Sequence, residues 1–234
     1  MKRCGFFIVL FGYFFIAGCS LDYKYRAHQY HFEKDIQALE KLTEYKELED
    51  YLLFIGSSSI RRWNTIQEDM WPYAVVKRGY GGAHYYDLIH YIDRLIEDKQ
   101  EAKAVIIFVA NDITGSNGWD KLHNDLTPKE VKVLFKAITK KIHKKQSNKT
   151  PIYVIETTPT PSRRAVWDKI SKANDLIQNY TKQDPNLHFI STRNYFLNQK
   201  GLPVGKYFVA DSLHLSEAGY NLWERIIKEK LKQQ

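Results

Sequence analysis

A serine becomes a nucleophile when a histidine can take its proton. The histidine is a better base when a carboxylate holds its other nitrogen. The chain carries both halves of such a pair, far apart in sequence. Gly56-Ser57-Ser58-Ser59-Ile60 places hydroxyls after an apolar run, where small residues allow a tight turn into a helix. Asp211-Ser212-Leu213-His214 places a carboxylate three residues before an imidazole. Taken alone, the serines read equally well as a helix cap and solvated hydroxyls. Taken alone, the histidine is one of eight in the chain. The other seven (His28, His31, His84, His90, His123, His143 and His188) have no comparable setting and read as structural or solvated.

Two further segments could stabilise a developing negative charge. In Gly79-Tyr80-Gly81-Gly82 the glycines let backbone amides approach a ligand closely. In Asn111-Asp112 a side-chain amide at a strand end could donate to an oxyanion. Both patterns also occur as ordinary turns. Arg163, Arg164 and Trp167 could line the rim of a pocket, or simply open a helix with a basic surface.

These fragments act together only if the fold brings them together. Apolar runs at 51–55 (YLLFI), 74–76, 104–110 (AVIIFVA), 152–155 (IYVI) and 187–190 (LHFI) predict five strands. Helical patterns lie between and after them, at about 84–98, 129–146, 164–182 and 217–232. Pro128 and Glu130 suit a helix start after Thr127. Strands that are apolar on both faces, with helices between, imply parallel pairing. Right-handed crossovers then give a three-layer α/β/α sandwich. In such sheets the site lies beyond the carboxyl ends of the strands. The serine, glycine and asparagine segments each follow a strand, and the Asp-His segment precedes the last helix.

In that order the chain resembles the SGNH hydrolases, or GDSL-like lipases and acylhydrolases. Phe54-Ile55-Gly56-Ser57-Ser58-Ser59-Ile60 looks like the first family block, Arg78-Gly79-Tyr80-Gly81-Gly82 the second, and Asn111-Asp112 the third. Asp211-Ser212-Leu213-His214, continuing through Gly219-Tyr220, looks like the last and is the most specific. The resemblance spans about 51–231. It implies a flavodoxin-like sandwich with a five-stranded parallel sheet. It implies Ser58 as nucleophile, His214 as base and Asp211 as its orienter. The Ser58 and Gly82 backbone N–H groups and the Asn111 amide would form the oxyanion hole. In this register Ser57 shapes the turn and Ser59 begins the helix.

The sequence departs from the family twice. Ser57 stands where an Asp is usual, in a Gly-Ser-Ser-Ser form familiar in one branch. Val109 stands where a Gly is usual, and its side chain is expected to narrow the pocket or shift the strand end carrying Asn111. The implied reaction is ester hydrolysis through an acyl-enzyme. Its substrate is an acyl ester, acetyl included, of a carbohydrate or lipid, and no metal or cofactor is needed. The sequence has no HExxH, CxxC or P-loop. A non-catalytic glycan-binding lipoprotein and an acyltransferase are the competing functions.

The amino terminus carries a separate message. Lys2 and Arg3 precede an apolar run at 5–17 (GFFIVLFGYFFIA), shorter than the ~20 residues of a membrane-spanning helix. It ends at Ile16-Ala17-Gly18-Cys19, which resembles the lipobox of bacterial lipoproteins. The expected division is a signal peptide at 1–18, a lipidated tether and amino-terminal helix at 19–50, and the catalytic domain at 51–234. Phe32, Ile36, Leu39 and Leu42 recur at helical spacing in the middle segment. The expected location is the cell envelope of a bacterium, facing the periplasm or the surface, with membrane attachment through Cys19. Only Cys4 and Cys19 are cysteines, so the mature domain would hold no disulfide.

The formal charge is +8, and without Lys2 and Arg3 the balance is 33 basic against 27 acidic residues, or +6. The densest cluster (Lys140, Lys141, His143, Lys144 and Lys145) falls late in a predicted helix, where the helix dipole favours it. No basic stripe with a matching motif indicates nucleic acid.

Overall fold

The computed structural model describes residues 30–42, 50–96, 100–115 and 125–233. The expected signal peptide and tether, with Cys19, lie outside these residues.

The five apolar runs form five parallel strands: β1 (Leu52–Gly56), β2 (Val75–Gly79), β3 (Ala104–Phe108), β4 (Ile152–Ile155) and β5 (Leu187–Ile190). Their order across the sheet is β2-β1-β3-β4-β5. The chain therefore starts inside the sheet, moves to one edge, then returns past its start. Gly56 pairs in register with Gly79 on one side and Phe108 on the other, so three strands end level.

Side-chain alternation splits the core in two. Leu53, Ile55, Val105, Ile107 and Val154 face a layer built by α1 (Glu33–Lys41), α4 (Tyr85–Leu95), α5 (Pro128–Lys145) and α6 (Trp167–Thr181). Leu52, Phe54, Ile106, Phe108 and Ile155 face the opposite layer. That layer contains α2 (Ser58–Arg62), α3 (Ile66–Asp69), α7 (Arg193–Phe196) and α8 (Glu217–Leu231). The three-layer α/β/α sandwich expected from the sequence is present.

The boundaries differ from the sequence reading where local chemistry intervenes. β3 stops at Phe108, two residues early, and the carbonyls of Val109 and Ala110 accept from the Thr157 hydroxyl and the Arg163 guanidinium. The helix expected from 164 begins as a 3₁₀ segment (Pro161–Val166) and becomes α6 only at Trp167. Thr127 caps α5 as expected, with reciprocal bonds to Glu130 of 3.3 and 2.7 Å. α1 joins the main body. Phe32 and Ile36 are buried in the core, and Arg94 of α4 forks to both Glu33 and Glu40 at 2.7–3.0 Å.

Candidate active site

The turn after β1 presents Ser58. Gly56 has φ of +152°, and a Cβ there would lie 1.9 Å from the Phe108 carbonyl oxygen. Only glycine lets the two strand ends approach this closely. The Ser57 N–H then donates to the same carbonyl at 2.9 Å. Ser57 is extended and occupies the position before α2 without a side-chain capping bond, so the helix begins at Ser58, one residue before the expected Ser59. Lys77 donates to the Arg61 and Trp63 carbonyls at 3.2 and 3.1 Å, and Tyr220 of α8 donates to the Ser59 carbonyl at 2.9 Å. Trp63 is fully buried and packs against Phe54, Tyr220 and Trp223. The helix bearing Ser58 is thus fixed to both the sheet and α8.

The loop before α8 brings His214 to Ser58. Asp211 Oδ1 accepts the N–H groups of Leu213 and His214, both at 2.9 Å, which curls the loop around the carboxylate. Ser212 takes a positive φ of 59° within this turn. Asp211 Oδ2 lies 2.7 Å from His214 Nδ1, and His214 Nε2 lies 2.8 Å from Ser58 Oγ. An ionised Asp211 can only accept, so Nδ1 carries the proton and Nε2 is free to accept from Ser58. Partial burial pulls the Asp211 carboxyl upward. The hydrogen bonds from His214 and Leu213 outweigh that pull and lower it to about 2.

Asn111 and the glycine turn approach from the other side. The Tyr80 N–H donates to the Gly56 carbonyl at 3.0 Å, tying the turn to β1. Gly82, with φ of +81°, sits between that tie and a second one. In the second, Asn111 Nδ2 donates to the Ala83 carbonyl at 2.9 Å. Asn111 Oδ1 accepts from Arg163 at 2.8 Å. A small cavity opens over Ser58, Asn111 and His214, with Phe108, Leu215 and Trp223 among its apolar walls. Gly82 is not among its lining residues.

Three sequence expectations resolve here. Val109 does not narrow the cavity: its side chain is buried in the core on the α5–α6 side. Of the three residues expected at the pocket, Arg163 lines the cavity from a buried position, 8% exposed, whereas Arg164 is exposed, Trp167 is half-buried and neither lines it. His84 is buried beside the glycine turn, where Asp87 accepts the His84 N–H at 2.9 Å and the Tyr80 hydroxyl. Sequence reasoning missed this polar support because its members look like ordinary helix-start residues. Asp112, beside Asn111, accepts the Tyr85 N–H at 3.0 Å. Burial pushes its carboxyl up to about 7, against the opposing pull of His84, the Tyr85 N–H and Arg163.

A hydroxyl bonded to an imidazole that is bonded to a carboxylate can lose its proton as it attacks a carbonyl. The fold bearing this arrangement recurs in solved structures. A Streptococcus pneumoniae protein named after platelet activating factor is 22% identical, with a TM-score of 0.72 over 92% of this chain and 98% of its own. A GDSL-like lipase from Bacteroides thetaiotaomicron is 18% identical, with a TM-score of 0.61 over 88% and 98%. A catalytic mutant of an acetylxylan esterase from Geobacillus stearothermophilus is 15% identical, with a TM-score of 0.60 over 78% and 94%. At these identities the likeness is one of fold. No curated protein matches the chain in sequence. The model of the GDSL-like lipase/acylhydrolase family matches residues 56–222, which takes in Ser58, Gly82, Asn111, Asp211 and His214. The chain belongs to the GDSL-like lipase/acylhydrolase family.

Proposed function

We propose that the protein is a serine esterase that hydrolyses acyl esters of a carbohydrate or lipid through an acyl-enzyme. The observation that carries this is the unbroken chain from Ser58 Oγ to His214 (2.8 Å) and from His214 to Asp211 (2.7 Å) at the mouth of a cavity. Ser58 Oγ attacks the ester carbonyl carbon, and its proton passes to His214 Nε2. The Ser58 and Gly82 N–H groups and Asn111 Nδ2 hold the oxyanion. The tetrahedral species collapses, the carbon–alcohol bond breaks, and His214 returns the proton to the departing alcohol oxygen. Water then attacks the acyl-enzyme with His214 again as base, which frees the acid and restores Ser58.

The acyl group is short in this reading, with acetyl the preferred member. Phe108 and Trp223, both buried and in edge contact at 4.6 Å, form apolar walls of the cavity and leave a small space beside Ser58. The fold shared with an acetylxylan esterase supports the same choice. For the amino-terminal segment we propose cleavage before Cys19, acylation of Cys19 and residence in the cell envelope.

The test is a panel of p-nitrophenyl esters from acetyl to palmitoyl. Turnover is expected to be highest with acetyl. Ser58→Ala and His214→Ala should each cost on the order of 10⁴-fold or more, and the double variant should be little worse, because the pair acts as one unit. Ser57→Ala and Ser59→Ala should keep measurable turnover. A fluorophosphonate should label Ser58. Label on Ser57 or Ser59 would refute the register, and full activity in Ser58→Ala would refute the mechanism.

A further inference from the structure

We infer that Arg163 is a positioning residue that fixes which end of the Asn111 amide faces the reacting carbonyl. The inference rests on the reading of Asn111 as an oxyanion donor. An asparagine amide has nearly the same shape in its two flips but opposite polarity. One flip offers N–H to the cavity, and the other offers a carbonyl oxygen that would repel an oxyanion. Two contacts of opposite polarity choose between them. Arg163 NH2 donates to Oδ1 at 2.8 Å, and Nδ2 donates to the Ala83 carbonyl at 2.9 Å. Turning the amide over would set N–H against guanidinium and carbonyl against carbonyl. Each contact would become repulsive, so the flip is held from both ends. The second N–H of Nδ2 remains to serve the cavity that Asn111 lines.

The same guanidinium also donates from NH1 to the carbonyl of Ala110, the residue before Asn111. One rigid fork therefore holds both the backbone that carries the amide and the amide itself, a geometry suited to Arg rather than Lys. Arg163 reaches this place because Pro161–Val166 forms a 3₁₀ turn in which Arg163 leaves helical geometry (φ −110°, ψ 15°) and points inward. Burial lowers its pKa to about 10, with Asp112 and Asp125 pulling the other way, so it remains a cation at neutral pH. A cationic donor on Oδ1 polarises the amide and strengthens Nδ2–H as a donor.

The test is a double-mutant cycle on p-nitrophenyl acetate hydrolysis, with thermal melting followed for every variant. In the wild-type background Arg163→Gln should lower kcat by roughly 10²-fold, the size of losing one oxyanion donor, with KM little changed. In the Asn111→Ala background the same change should lower kcat by less than about threefold, because its route is already removed. Arg163→Lys keeps the charge beside Asp112 and should recover part of the loss. If Arg163→Gln does not fold, Arg163→Lys takes its place in the cycle. An equal fall in both backgrounds, or none in either, overturns the inference. Ser58→Ala, run alongside, separates the two readings. If it abolishes turnover while the cycle is additive, only the role of Arg163 falls. If it keeps full activity, both fall.

Discussion

Asp211 accepts three hydrogen bonds from its own loop and stays near the surface, and this combination governs how the site should answer to acid. A carboxyl whose folded pKa is depressed binds its proton less readily in the native state than in the unfolded chain. Its contribution to stability is therefore present above the ordinary value of 3.8 and lost as pH falls through about 2. Between pH 5 and 8 Asp211 remains ionised, which leaves the histidine base and Asp112, raised by burial to about 7, as the groups near the site that titrate there. The expected profile of kcat/KM on p-nitrophenyl acetate has an acid limb of unit slope. A slope of two that persists in Asp112→Asn would show a second group other than Asp112 titrating and would remove Asp211 from its constant role. Much of this site is legible residue by residue, because Ser58, Asn111, Asp211 and His214 each sit just past a recognisable strand or before the last helix; Gly82, expected with them, lies outside the cavity lining. Arg163 is not legible in the same way. A buried arginine and a surface arginine look identical in sequence, and only the 3₁₀ turn after β4 directs this one inward. Val109 misled for a related reason: strand alternation near a turn decides its direction, and it points into the core.

Among the elements, those longer than two turns or fully apolar could be read from periodicity, and the shortest could not. α2, α3 and α7 span four or five residues each, too few to repeat a pattern. α2 is nonetheless the element that starts at Ser58. α1 raises a different question, since the sequence reading set it apart and the fold does not. Two kinds of contact hold it: ion pairs from Arg94 and apolar burial of Phe32 and Ile36. The Arg94, Glu33 and Glu40 side chains are each about a third exposed (31–36%), so solvent screens them. Ile36 is 0% exposed, so its truncation leaves a cavity as well as losing transfer energy. Burial should therefore win. Ile36→Ala is expected to cost about 2–4 kcal/mol, and Arg94→Ala about 1 kcal/mol or less, as measured by denaturant midpoints. A larger effect at Arg94 would mean that the charge network, not the core, docks this helix. Phe32 also packs against Tyr80 in a tilted arrangement with ring centroids 5.0 Å apart, so a loosened α1 should first disturb the glycine turn.

For the whole molecule the open link is between the catalytic body and its surroundings. Among the described residues no helix is long and apolar enough to cross a membrane. The proposed attachment is covalent, at Cys19. Ten residues lie between Cys19 and Tyr30, and the eleven steps they make reach at most about 40 Å when fully extended. An acylated Cys19 would then hold Tyr30, and with it the catalytic body, within that reach of the lipid surface. The net charge of +6 beyond Lys2 and Arg3 offers a second, weaker attraction to anionic lipid, and salt distinguishes the two. Electrostatic adsorption weakens as the Debye length shrinks, whereas an acyl chain in the bilayer does not respond. The full chain expressed in a bacterial host should therefore stay in the membrane fraction through a 1 M salt wash. Metabolic palmitate label should enter the wild type and not Cys19→Ser, and the intact mass should correspond to a terminus at acylated Cys19. Release by salt alone, or an unmodified Cys19 in the mature protein, would remove the anchor and leave only the charge.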